Sequence, residues 1–157
     1  MGEDRVKILR AIFCGGLIAG VLDLTYAIVF YGLRGVAPIR IPQSIASGLL
    51  GRAAFEGGWT TAVLGTGLHF FIALSMATAY VVASRLLRVL VKHPILCGAA
   101  FGAGAYCVMN YVVIPLSAVQ PRFVSWPEFV SGLLVHMTLI GQPIAYFARR
   151  SAQNKVQ

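Results

Sequence analysis

With 157 residues, 58% of them hydrophobic, 11% charged and a mean hydropathy of +0.79, the chain lacks the polar surface of a water-soluble domain, which carries about 25% charged residues. The net charge of +8 comes from basic residues that flank apolar runs and form no continuous stripe, a pattern of membrane topology that argues against nucleic acid as a partner. Three cysteines, Cys14, Cys97 and Cys107, fall inside apolar runs without C-x-x-C spacing, so redox or zinc chemistry has no motif here.

Residues 1–10 read as a short charged leader carrying Arg5, Lys7 and Arg10. The first apolar run, residues 11–33, is too long for a signal-peptide core of about 7–15 residues and is expected to stay as a span. It contains Asp23. By helix rise this acid lies ~20 Å from Arg10 and ~17 Å from Arg34, near the centre of a hydrocarbon layer of ~30 Å. A helix places Asp23 on one face with Gly16, Gly20 and Ala27, the small-residue face that other helices approach closely.

Gly35, Pro38 and Pro42 end that span. Residues 43–56 then read as a short amphipathic helix, with Ile45, Ala46, Leu49, Leu50 and Ala53 on one side. It is too short to cross a bilayer and is expected to lie along the interface or fold over the mouth of the bundle. Arg52 and Glu56, four apart, are expected to form an interfacial ion pair.

Span two, residues 60–84, carries His69, and the connector after it is basic, with Arg85, Arg88 and Lys92. Pro94 suits the start of span three, residues 95–116, which contains Asn110 and Pro115. Ser125 and Glu128 have the spacing of a capping box that opens span four, residues 128–147, with His136 inside it and Gln142 and Pro143 at an expected kink. Nine Lys and Arg lie at the termini and the connector between spans two and three, against four in the other two loops, which predicts both termini in the cytoplasm. Trp59 and Trp126 then share the opposite interface.

The sequence thus predicts an all-α, four-span transmembrane helix bundle forming a single membrane domain, with a periplasmic interfacial helix between spans one and two. A weak internal repeat pairs the G-x-x-x-G of Gly16 and Gly20 with that of Gly98 and Gly102, and His69 with His136. These glycines are expected to pack helices and to offer a homo-oligomer surface, with the lipid bilayer as the other partner.

Asp23, His69, Asn110 and His136 come from four spans at estimated depths of ~12–18 Å and can meet in one layer. Buried ionisable groups face a bundle interior and pair or line an aqueous path. One reading is proton or ion handling, with histidine titrating near neutrality. A second is packing, with Asp23 accepting a hydrogen bond from a histidine or from Asn110. No cofactor is expected, but a metal held by two histidines and a carboxylate, or a b-type haem between His69 and His136, stays open. No nucleophile and base stand at recognisable spacing, so the chain reads as a non-catalytic membrane component or stress-related protein; a small proton-coupled transporter acting as a homodimer is the alternative.

From Phe70 to Arg150 the order of features resembles small bacterial inner-membrane proteins of the YagU type, a domain family without an assigned function. The likeness rests on the Tyr80 helix end, Gly98 to Gly104, Pro115-Leu116, Pro121-Arg122-Phe123 with Trp126-Pro127-Glu128, and Gly132 to His136. The resemblance implies a bacterial inner-membrane location and no established enzyme activity.

Overall fold

Glu3 and Asp4 occupy the first turn of helix α1 (Gly2–Gly32), where carboxylates complement the positive end of the helix dipole. The charged leader is therefore the first turns of the helix and not a separate segment, and Glu3 pairs with Lys7 at 3.9 Å. At the other end Arg34 closes α1: its Nη1 donates to Phe30 O at 2.7 Å and its guanidinium lies 3.6 Å from the Phe30 ring centroid. Gly35, at φ 82, turns the chain.

A computed structural model describes residues 2–119 and 124–153. Pro121, Arg122, Phe123 and Lys155 lie outside the described residues. After α1 come α2 (Arg40–Leu50), a 3-10 turn (Gly51–Phe55), α3 (Gly58–Leu86) and a short connector, α4 (Val89–Lys92). Then α5 (Pro94–Val108) runs into a π-turn (Met109–Val113), and α6 (Trp126–Val135) is joined to α7 (Gly141–Gln153) by a second π-turn (His136–Ile140). The described chain is all-helical, and four of its helical stretches are long and apolar enough to cross a membrane: Gly2–Gly32, Gly58–Leu86, Pro94–Val113 and Trp126–Gln153.

Glycine sets the helix spacing in both halves. Where α1 meets α3, a Cβ on Gly16 would stand 2.9 Å from Leu74 Cδ2, and one on Gly20 would stand 2.9 Å from Phe70 Cδ1. Where α5 meets α7, a Cβ on Gly98 would stand 2.9 Å from Gly141 O, and one on Gly102 would overlap His136 O. All four glycines are buried inside one chain. The small-residue faces expected to bind a second copy are thus already covered by the protein's own helices.

The amphipathic segment departs from expectation. Helix α2 starts at Arg40, with Pro42 in its first turn where backbone N–H groups have no partners to lose, and it stops at Leu50 because Gly51 adopts φ 57. The chain then tightens into the 3-10 turn, so the four-residue spacing of Arg52 and Glu56 no longer aligns them. Both are exposed, and they share no ion pair within 4 Å. Arg40 supplies the polar tie instead, donating from Nη1 to Phe55 O at 2.9 Å. Helix α2 packs on α3 so closely that a Cβ on Gly65 would overlap Pro42 O. Gln43 Nε2 donates to Gly58 O at 3.0 Å, and Ala118 N donates to Gly48 O at 2.9 Å. The short helix is therefore clamped to the bundle from two sides.

The capping box of the fourth span forms as expected, with Ser125 N donating to Glu128 Oε2 at 3.0 Å. The two π-turns lie just upstream of Pro115 and Pro143, whose missing N–H and crowding ring break the regular ladder. In them Ile114 N bonds Met109 O at 2.8 Å, and Gly141 N bonds His136 O. At the end of the bundle where α1 begins and α7 ends, Ala19, Ala77, Tyr80, Val81, Ile144, Ala145 and Ala148 form a tightly packed apolar core. The end covered by α2 is hollow.

Candidate functional site

That hollow is a cavity of about 310 Å³, and Asp23, His69, Asn110 and His136 all line it. Its floor is Ala19, Gly20, Ala73, Met76 and Ile140, the top of the packed core. Toward the other end its wall includes Tyr31, Ile41, Ser44, Ile45 and Glu128. The short helix α2 thus contributes directly to the cavity. Asn110 sits nearer a helix end than the others, because the third span stops at Val113 and not at residue 116.

Four polar side chains on the wall, His69, His136, Asn110 and Ser44, are oriented by backbone partners. His69 Nε2 lies 2.8 Å from Gly20 O, and His136 Nδ1 lies 2.9 Å from Gly132 O. A carbonyl only accepts, so Nε2 of His69 and Nδ1 of His136 carry a hydrogen, and in the neutral form of each ring the other nitrogen offers a lone pair. His69 keeps Nδ1 and His136 keeps Nε2. Asn110 Nδ2 donates to Tyr106 O at 2.9 Å, which leaves Oδ1 as the acceptor. Ser44 Oγ donates to Ile41 O at 2.7 Å and likewise retains lone pairs.

Packing holds His136 in place. Its ring meets Tyr106 edge to face at 5.1 Å between centroids, and Tyr106 meets Phe129 at 5.5 Å. Gly132 makes room for this arrangement, since a Cβ there would lie 2.8 Å from Tyr106 Cε2. His69 is similarly flanked by Phe70 at 5.5 Å.

Asp23 accepts a hydrogen bond from none of His69, Asn110 or His136, whose donors go to carbonyls. The carboxylate faces the cavity half-buried, close enough to act on His136 electrostatically, as His69 also does. Packing through an Asp23 hydrogen bond is therefore not how these helices are joined. Among the described residues, no three His, Cys, Asp or Glu side chains come together closely enough to hold a metal ion.

Three wall residues escape a reading of the sequence. Tyr26 lines the cavity with its hydroxyl buried and without a hydrogen-bond partner. Its position, three after Asp23 on the same helical face, is the signal that points to it. Tyr106 is legible only as an apolar residue, and Glu128 only as a helix cap. The π-turns that carry Asn110 and His136 have their sequence signal in Pro115 and Pro143, and such turns recur at functional sites.

Fold and site together define an all-α bundle of four candidate membrane spans around a half-buried cavity of carboxylate, imidazole and amide groups. No protein-family model, no curated protein and no solved structure matches the chain.

Proposed function

We propose that this protein is a non-catalytic, multi-pass membrane protein that binds a small amphipathic cation, such as a protonated amine, in the Asp23–His69–His136 cavity. One observation carries the reading. The oriented polar groups of the wall present acceptors, and among the described residues no Lys or Arg lines the cavity of a chain with net charge +8. The acidic residues there are Asp23 and Glu128. Such a wall complements a guest that brings donors and positive charge, while the surrounding Ile, Ala, Met and Tyr side chains suit an apolar body. The volume falls at the lower end of small-molecule sites, about 300–1,000 Å³.

In this reading the protein resides in a bacterial inner membrane with both termini cytoplasmic and α2 on the periplasmic side, as the distribution of Lys and Arg supports. A proton-coupled transporter is the second reading. It is favoured by the π-turn beside His136 and the cavity floor, a break in the fourth span about which its two halves can move.

Calorimetric titration of the detergent-solubilised protein with phenylethylamine and its neutral isostere phenylethanol tests the proposal. The amine is expected to bind and the alcohol to bind at least about tenfold more weakly, because the charge-assisted contact to Asp23 is lost. Asp23→Asn should remove the difference. Equal binding of amine and alcohol to the parent protein would overturn the assignment.

A further inference from the structure

A second hollow, of about 550 Å³, lies at the terminal end of the bundle between the start of α5 and the outer face of α7. Pro94 and Ile95 form one wall, and Gln142, Tyr146, Arg149 and Arg150 run along the other. On α7 these positions are spaced four, three and one apart and occupy a single face, opposite the buried Ile144, Ala145, Ala148 and Ser151.

The chemistry of this groove is the reverse of the central cavity. Arg149 and Arg150 are exposed neighbours, and among the described residues neither meets a carboxylate within 4 Å. Arg150 Nη1 donates to Tyr146 Oη at 3.3 Å, which holds one guanidinium against the groove. Gln142 Nε2 donates to Ile95 O at 2.9 Å and ties the two walls together. On α5, Ile95 lines the groove and is 76% exposed, and its chain neighbour Leu96, beside the groove, is 74% exposed. Two adjacent unneutralised guanidiniums above an exposed aliphatic strip, at the end of a membrane-length helix, call for an anion attached to a hydrocarbon chain.

We propose that this groove binds the headgroup of an anionic phospholipid, the phosphate on Arg149 and Arg150 and the acyl chain along Ile95 and Leu96. Guanidinium forks match phosphate oxygens, and basic pockets at helix ends hold lipid headgroups in this way. A free phosphate would satisfy the arginines but leave the aliphatic strip uncovered, so the lipid is the occupant of choice. This site is independent of the central cavity and of its ligand.

Native mass spectrometry of the full-length protein in detergent, with phosphatidylglycerol or phosphatidylcholine added in equal amounts, reads the preference directly. Retained phosphatidylglycerol adducts should exceed phosphatidylcholine adducts by about fivefold or more. The double variant Arg149→Gln, Arg150→Gln should lose that preference while keeping the parent melting temperature in phosphatidylcholine. Arg5→Gln, Arg10→Gln removes the same charge from the same end and should keep it. Equal adducts in the parent, or equal loss in both double variants, would overturn the site. Displacement of phosphatidylglycerol by millimolar inorganic phosphate would assign the groove to free anions and overturn the lipid proposal.

Discussion

His69 Nε2 stands 2.8 Å from the carbonyl oxygen of Gly20, a bond that joins α3 to α1 one turn from Asp23. It both ties two spans together and decides which imidazole nitrogen faces the cavity. His69→Phe keeps the ring and loses the bond, so unfolding in detergent should show a loss of about 0.5–1.5 kcal/mol, the usual range for an interhelical hydrogen bond. His136→Phe breaks a bond within one helix, to Gly132, and should cost less. Equal losses would mean that the bond between helices has no special weight.

Two glycines of the Gly98–Gly104 segment, Gly102 and Gly104, behave differently. A Cβ on Gly102 would overlap the carbonyl oxygen of His136, whereas one on Gly104 meets nothing within 4 Å. Gly102→Ala should destabilise by about 1–3 kcal/mol through overpacking. Gly104→Ala should be neutral or gain up to about 1 kcal/mol from helix propensity. Differential denaturation of the two variants checks the contrast.

Tyr26 carries a buried hydroxyl with no hydrogen-bond partner on the cavity wall. Removing it should therefore cost no stability: Tyr26→Phe is expected to melt at or above the parent temperature, because an unsatisfied buried hydroxyl is itself unfavourable by about 1–3 kcal/mol. Phenylethylamine affinity should nonetheless fall, the hydroxyl being a partner for the guest. A variant that melts lower and binds normally would contradict both expectations.

Amine binding should weaken as pH falls. The titratable groups on the cavity wall are Asp23, Tyr26, His69, Tyr31, Tyr106, Glu128 and His136. Protonating an imidazole adds positive charge and turns an acceptor into a donor, and protonating a carboxylate removes negative charge, so every acid-side step acts against a cation. Affinity for phenylethylamine should therefore fall as the medium is acidified. His136→Gln retains an acceptor without a titrating proton and should flatten that slope. A pH-independent parent affinity would count against the imidazoles as ligand contacts.

Topology is open to direct labelling in a background without Cys14, Cys97 and Cys107. A cysteine at Leu49, which is 63% exposed on α2, should react with a membrane-impermeant maleimide added to intact cells. A cysteine at the exposed Gln153 should react only after permeabilisation. The reverse pattern would invert the proposed orientation.

Much of this molecule is legible from residue order because long apolar runs, prolines and a capping box are local signals. Four helices and the Ser125–Glu128 cap follow from them. The shared cavity of Asp23, His69, Asn110 and His136 follows from depth alone, since polar groups at one level of a bundle must turn inward. What eludes such reading is set by contacts between distant segments. Gly65 draws α2 against α3, and Gly51 breaks the helix that would have aligned Arg52 with Glu56. The glycine faces look the same whether they meet another chain or the next helix of their own.

The π-turn in the fourth span also resolves an irregularity in its burial pattern. Buried positions step by five from Val135 to Ile140, then by four to Ile144 and by four to Ala148. On a straight helix five residues overshoot a full revolution by about 140°, which would put Val135 and Ile140 on different sides. The wider turn absorbs the surplus residue, so the half that presents His136 and the half that presents alanines to the packed core keep a common inward face. A chain one residue shorter here, for instance by deletion of the exposed Thr138, would set the same two positions four apart, a step that ordinary winding already keeps within about 40° of one face. The fourth span therefore carries an inserted residue that only the wide turn accommodates: the same residues wound as an ordinary helix would leave either the cavity or the core facing the wrong way, even though every side chain named in the site remained in the sequence.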